Sequence, residues 1–151
     1  MAATAALALA EFPRNSEHSK ERIMMDMAKA ELRDSLIKAQ EAHLAWKAQL
    51  WKAVESGQCD LLPKNIQLED QCELGRILNG ISPSELKTQS RYLSIRYLHA
   101  AFHILVAEIL NCAFKGKNRE ECLTLLSEGS LYSKASSALI LGLRAWEEDL
   151  E

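Results

Sequence analysis

His99 and His103 stand four residues apart in the stretch Leu98-His99-Ala100-Ala101-Phe102-His103. On an α-helix this spacing puts both imidazoles on one face, one turn apart, within reach of a single ion. Around them Tyr92, Ile95, Phe102, Val106, Ile109 and Leu110 form an apolar stripe where a solvated face would carry Lys and Glu. Neighbouring buried histidines are hydrogen-bonded, charged at a cost, or bound to metal. The pair alone favours satisfied core histidines over a metal site, so the rest of the chain has to decide.

The elements that would bring them are helices. From Ser19 to Ser56, Met25, Ala28, Leu32, Leu36, Ala39, His43, Trp46, Leu50 and Val54 recur at spacings of three and four, the seam of a bundle helix. Gly57 stops that run as a C-terminal cap would. His43 interrupts the apolar seam and is the third inward-pointing histidine; His18 stays outside the group. Residues 57–66, with Pro63 and Cys59, read as a loop, Cys59 as an exposed thiol. A short helix follows over 68–79, with Cys72 and Gly75 on one face; glycine inside a helix costs about 1 kcal/mol against alanine, which points to another backbone passing close by. Ser82-Pro83-Ser84-Glu85 combines a capping box with Pro at the first helical position, opening a third helix that runs to Lys115 and Gly116. Asn118 to Glu121 opens a last helix, with Gly129 placed to bend or break it. The pattern predicts an all-α four-helix bundle with one short member, over residues 19–150, preceded by a disordered or tag-like segment 1–18.

Three helices thus present ligand-type residues inward: His43, Cys72, and the pair His99 and His103. Three imidazoles and a thiolate form a borderline-soft set that suits zinc better than magnesium or calcium. Four ligands fill a tetrahedral shell and leave no position for a catalytic water, which argues against an enzyme. A metalloprotease would carry Glu directly after His99, where Ala100 stands. A di-iron bundle would carry carboxylates three residues before the histidines, where Arg96 and Ala100 stand. Haem ligation by a histidine pair leaves Cys72 and His43 unexplained.

With 151 residues, 48% hydrophobic and 26% charged, the composition is that of one globular domain, and a net charge of −3 offers no basic footprint for nucleic acid. No apolar run is expected to reach the length of a membrane span, so the sequence reads as a soluble chain. Four cysteines without a disulfide-scaffold spacing or an export signal suggest a reducing compartment with free or metal-bound thiols; Cys112 and Cys122 read as small core residues. Trp46 and Trp51 read as core and surface packing, and Met24, Met25 and Met27 as helix filler or dimer surface. Asp34, Glu41 and Glu108 are the candidates for orienting the histidine rings.

The order of these elements resembles the bacterial chemoreceptor zinc-binding domain, in which His-x-x-Trp, Cys-x-x-Gly and His-x-x-x-His occur in sequence. Here they are His43-Leu44-Ala45-Trp46, Cys72-Glu73-Leu74-Gly75 and His99-Ala100-Ala101-Phe102-His103, and the similarity spans about residues 25–147. Gly129-Ser130-Leu131-Tyr132 followed by Ser136 is similar to the family's last helix, whereas Ile77 stands where members commonly carry Trp. The resemblance implies a high-affinity regulatory zinc site in a cytoplasmic, often homodimeric domain of signal transduction. Such domains accompany chemoreceptor signalling regions in chemotaxis or diguanylate cyclase domains, and are linked to sensing zinc or oxidants such as hypochlorous acid. Two readings follow: a sensor whose zinc-bound Cys72 takes the signal, or a structural, zinc-stapled dimerisation module with no sensing role.

Overall fold

The computed structural model describes residues 15–58, 60, 63–81, 89–116 and 118–151. Among them the structure is all-α, without a strand: α1 (Asn15–Ser56), α2 (Pro63–Ile66), a 3-10 turn (Glu69–Gln71), α3 (Glu73–Gly80), α4 (Ser90–Phe114), α5 (Arg119–Leu126) and α6 (Leu131–Glu148).

The 42 residues of α1 make it about 63 Å long at 1.5 Å per residue. It starts at Asn15, four residues ahead of the expected Ser19, so residues 15–18, expected as part of a disordered lead-in, are helical; residues 1–14 lie outside the described part. The seam buries Leu32, Leu36, Ala39, His43, Leu50 and Val54. Met25 and Ala28, expected in the same seam, are only half-buried, because the early turns of α1 have less of the protein beside them. The helix ends at Gly57, whose N–H donates to Ala53 O at 2.9 Å.

Two segments differ from the expected single helices. In the stretch 68–79, the 3-10 turn stops at Cys72, which is extended (φ −81°, ψ 165°) and serves as the N-cap of α3. Ahead of it, the loop expected over 57–66 contains the short helix α2. The third helix does not run unbroken from Ser82: Gln89 is extended (φ −67°, ψ 139°), and α4 begins at Ser90. The Ser82–Glu85 capping box lies outside the described residues, as does Cys59. The last helix is broken where Gly129 was expected to bend or break it: Ser127–Ser130 separates α5 from α6, with Gly129 at φ +81° in the left-handed region that a side chain disfavours. Asn118 caps α5 by accepting from Glu120 N at 3.1 Å, and Ser130 caps α6 by accepting from Ser133 N at 3.1 Å.

Helix α4 is the centre. It packs against α1, α2, α3, α5 and α6, most extensively against α6, and Tyr92, Ile95, Phe102, Val106, Ile109 and Leu110 are buried on it as the stripe predicts. On the opposite side of the core Leu139, Leu143 and Trp146 of α6 are fully buried, the Trp146 ring edge-on to Tyr92 at 6.1 Å between centroids. By length and composition α4 is apolar enough to cross a membrane, with a mean hydropathy of 1.4, contrary to the expectation that no run reaches that length. The same apolarity is what a helix surrounded by five neighbours requires.

Cys112 and Cys122 are buried, as small core residues should be, but they are not free thiols. They form a disulfide that ties the last turn of α4 to α5, which corrects the expectation of a chain with only free or metal-bound sulfur.

Candidate metal centre

Four ligand-type side chains converge where α1, α3 and α4 meet. The ligand atoms offered by His43, Cys72, His99 and His103 all lie within 4.8 Å of one another. His99 Nε2 is 3.1 Å from Cys72 Sγ, and ring centroids are separated by 4.5 Å for His99–His103, 5.4 Å for His43–His99 and 6.4 Å for His43–His103. The histidines are 3%, 1% and 2% exposed in chain order, whereas Cys72 is half-buried.

Each element places its residue for a local reason. His43 occupies a core position of the α1 seam, and its Nδ1–H donates back one turn to Ala39 O at 2.8 Å. His99 and His103 are one turn apart on the buried face of α4, and His103 Nδ1–H donates to Ile66 O, the last residue of α2, at 2.5 Å. These hydrogen bonds fix the tautomer: with the proton on Nδ1, the lone pair of Nε2 is free to bind. His43 Nε2 and His103 Nε2 are indeed buried without a hydrogen-bond partner. An unsatisfied buried nitrogen costs about 1–3 kcal/mol, and two of them facing one thiol are what a ligand set looks like before its ion is added.

The cysteine is delivered by a turn instead of a helix face. As N-cap of α3, Cys72 Sγ accepts from Gly75 N at 3.3 Å, and the amide dipoles of the first turn favour a thiolate there. Gly75 has to be glycine: an added Cβ would lie 1.8 Å from Glu69 O and 2.8 Å from Asp70 Cα. The close backbone approach inferred from a glycine inside a helix is therefore the 3-10 turn folding back over α3, and that fold aims the sulfur at His99.

Electrostatics agree with a neutral ligand cage. Burial holds His43 and His103 below the ordinary imidazole value, against the opposing pull of their carbonyl partners. Burial, reinforced by the charges of His103, His43 and Arg96, pushes His99 down to about 3. Neutral imidazole is the form that binds a metal. Burial raises the Cys72 thiol, with the amides of Gly75 and Leu74 and the charge of Arg76 pulling it back. A bound cation would complete that pull and hold the sulfur as thiolate.

The donor set fits a borderline-soft divalent ion. Zinc at about 2.0–2.3 Å from each of four ligands needs ligand atoms roughly 3.3–3.8 Å apart, so the Cys72–His99 edge needs almost no movement and the widest edge closes by about 1 Å. The sequence placed all four residues. It did not place what orients them: Asp34, Glu41 and Glu108 are exposed, and the ring nitrogens are held by main-chain carbonyls of Ala39 and Ile66 instead. Neither the Ala39 nor the Ile66 contact was picked out from the sequence, because both acceptors are main-chain carbonyls. Glu69 was also missed: it pairs with Arg96 at 3.7 Å and lies close enough to bias His103. The chain matches no family model, no curated protein and no solved structure.

Proposed function

We propose that the chain is a zinc-binding regulatory domain of the chemoreceptor zinc-binding type, a cytoplasmic, non-enzymatic sensor module on a four-helix bundle in which α5 and α6 together make the fourth, broken helix. The observation that carries this reading is the pair of buried, unpartnered Nε2 atoms of His43 and His103 facing the half-buried sulfur of Cys72. The order of the three motif elements supports the family.

Bound zinc would join α1, α3 and α4 through one point, and a structural zinc site contributes about 10–16 kcal/mol in small peptides, comparable with the whole stability of a domain. His43, His99 and His103 hold their side of the cage shut to water. Cys72 is the ligand that solvent reaches, and as a thiolate it is the one that oxidants attack. With hypochlorous acid as oxidant, the thiolate sulfur takes the oxygen and chloride leaves, giving a sulfenic acid and one fewer strong ligand. The turn from Glu69 to Gly75 is then released from α4. Signalling regions of chemoreceptor or diguanylate cyclase type, in the same chain or a partner, and a second copy of this chain, would receive that change.

The near-complete burial of the three imidazoles favours the second reading, a zinc-stapled structural and dimer-forming module. One experiment separates the two. The zinc-loaded protein is treated with one equivalent of hypochlorous acid, then with a chromogenic chelator. The sensor reading predicts sulfenate at Cys72 and a release rate raised by a factor of ten or more; an unmodified Cys72 and an unchanged release rate would leave the staple.

A further inference from the structure

The geometry points to a second sulfur centre, independent of the metal ligands: Cys112–Cys122 is a reversible thiol–disulfide exchange site for a small zwitterionic thiol of the glutathione or free-cysteine class, which enters the cavity beside α4 and attacks Cys112. The two half-cystines are not equivalent. Cys122 is 1% exposed, sealed in the core, whereas Cys112 is 7% exposed and borders a cavity of about 480 Å³. A disulfide with one half-cystine lining a solvent-connected cavity and the other sealed in the core has a preferred point of attack, and access decides which sulfur reacts.

The lining gives the ligand class. Lys115 brings an ammonium, Glu108 and Glu121 bring carboxylates, Gln67 and Asn111 bring amides, and Ile104 adds an apolar wall. Both signs of charge around one cavity suit a molecule carrying its own ammonium and carboxylate groups. Lys115, the C-cap of α4 three residues beyond Cys112, sets its positive charge in the same lining as the carboxylates of Glu108 and Glu121.

The step balances without another reagent. The thiolate of the small thiol attacks Cys112 Sγ; the Cys112–Cys122 bond breaks, and Cys122 leaves as a thiolate and takes up a proton. A second molecule of the thiol attacks the sulfur of the first, releasing the small-molecule disulfide and the Cys112 thiolate, which is protonated in turn. Two small thiols are oxidised and one protein disulfide is reduced; the oxidised small thiol drives the reverse. The bond crosses the corner between α4 and α5, so its state decides whether α5, which also packs on α1 and pairs with it through Arg119 and Glu55 at 2.8 Å, is tethered to α4. His103 is nine residues, about 13 Å, along α4 from Cys112, which separates this chemistry from the metal ligands.

The test uses the full chain in glutathione buffers of graded oxidised-to-reduced ratio, without denaturant, followed by acid quench, alkylation and peptide mass spectrometry, which reads Cys112 and Cys122 apart from Cys59 and Cys72. The expected result is complete and reversible interconversion of disulfide and dithiol in the folded protein. The Cys122→Ser variant should carry glutathione on Cys112 at least about tenfold faster than Cys112→Ser carries it on Cys122. If either variant fails to fold, the transient mixed disulfide of the wild type, trapped by rapid acid quench, gives the same answer, with glutathione on Cys112. Reduction that proceeds only where denaturant unfolds the chain, two thiols that stay free in oxidised glutathione, or a mixed disulfide on Cys122 would each overturn the proposal.

Discussion

The middle and the end of α4 handle sulfur in opposite ways. At its middle, Cys72 is brought to His99 and His103 from outside the helix, on a turn, half-buried, with its sulfur held by a backbone amide and three imidazoles close by. At its finish, Cys112 belongs to the helix itself and is bonded to Cys122 across a corner. The first arrangement places neutral nitrogen lone pairs around one sulfur and fits a cation; the second has no histidine beside it among the described residues and satisfies its sulfurs by pairing them. What separates them is the company of each cysteine: three buried imidazoles beside the half-buried Cys72, a second sulfur beside the buried Cys112.

The largest effects should appear at the first of these sites. Replacing His43, His99, His103 or Cys72 by alanine should weaken zinc binding by well over the 10–100-fold that an outer hydrogen bond of a metal site is worth, as read by chelator competition. Replacing both Cys112 and Cys122 by serine should leave zinc affinity within about threefold while removing about 2–4 kcal/mol of stability, as read by denaturant unfolding of the zinc-loaded protein. An equal loss of zinc in both sets would erase the contrast.

Gly75→Ala is the next sharpest probe. Its Cβ would meet the Glu69 carbonyl, so the turn carrying Cys72 must move; overpacking of this kind costs about 1–3 kcal/mol, and zinc affinity should fall with it. A retained affinity would mean that the turn does not aim the sulfur.

Acid should also act at this site. In the metal-free protein the three imidazoles are held below their ordinary value in the folded state, His99 at about 3, while unfolded histidines take up protons near 6.5. Below pH 6.5 the unfolded chain therefore binds more protons than the folded one. The imidazoles' contribution is fully present above that pH and is lost progressively as pH falls toward 3. Thermal melting of the metal-free chain between pH 7.5 and 4.5 should show Tm falling with acid, and the His99→Leu variant should show a shallower fall. The smallest effect belongs to the other site: Asn118→Ala removes the cap of α5 and should cost about 1 kcal/mol in thermal unfolding, without changing zinc affinity.

Much of this was legible in the chain. The spacing of three and four placed His43 on the buried face of α1 and the His99–His103 pair on that of α4, because a helix converts sequence period directly into a face. Gly75 announced a close backbone approach, since only a missing Cβ leaves room for one. The boundaries were less legible. The apolar pattern runs through Cys72 and Gln89 alike, and the boundaries there come from capping by the thiol and an extended Gln89, whereas the break at Gly129 was marked by the glycine itself. The Cys112–Cys122 bond was missed because the ten residues between them say nothing of whether the corner after α4 folds back. The Ile66 carbonyl was missed because a main-chain acceptor leaves no mark in the sequence.

The central claim is tested most directly by zinc K-edge X-ray absorption on the purified chain loaded with one equivalent of zinc. A shell of three nitrogens and one sulfur, losing its sulfur in Cys72→Ala and one nitrogen in His103→Ala, is the expected result. A shell of oxygens alone, unchanged in both variants, would contradict it.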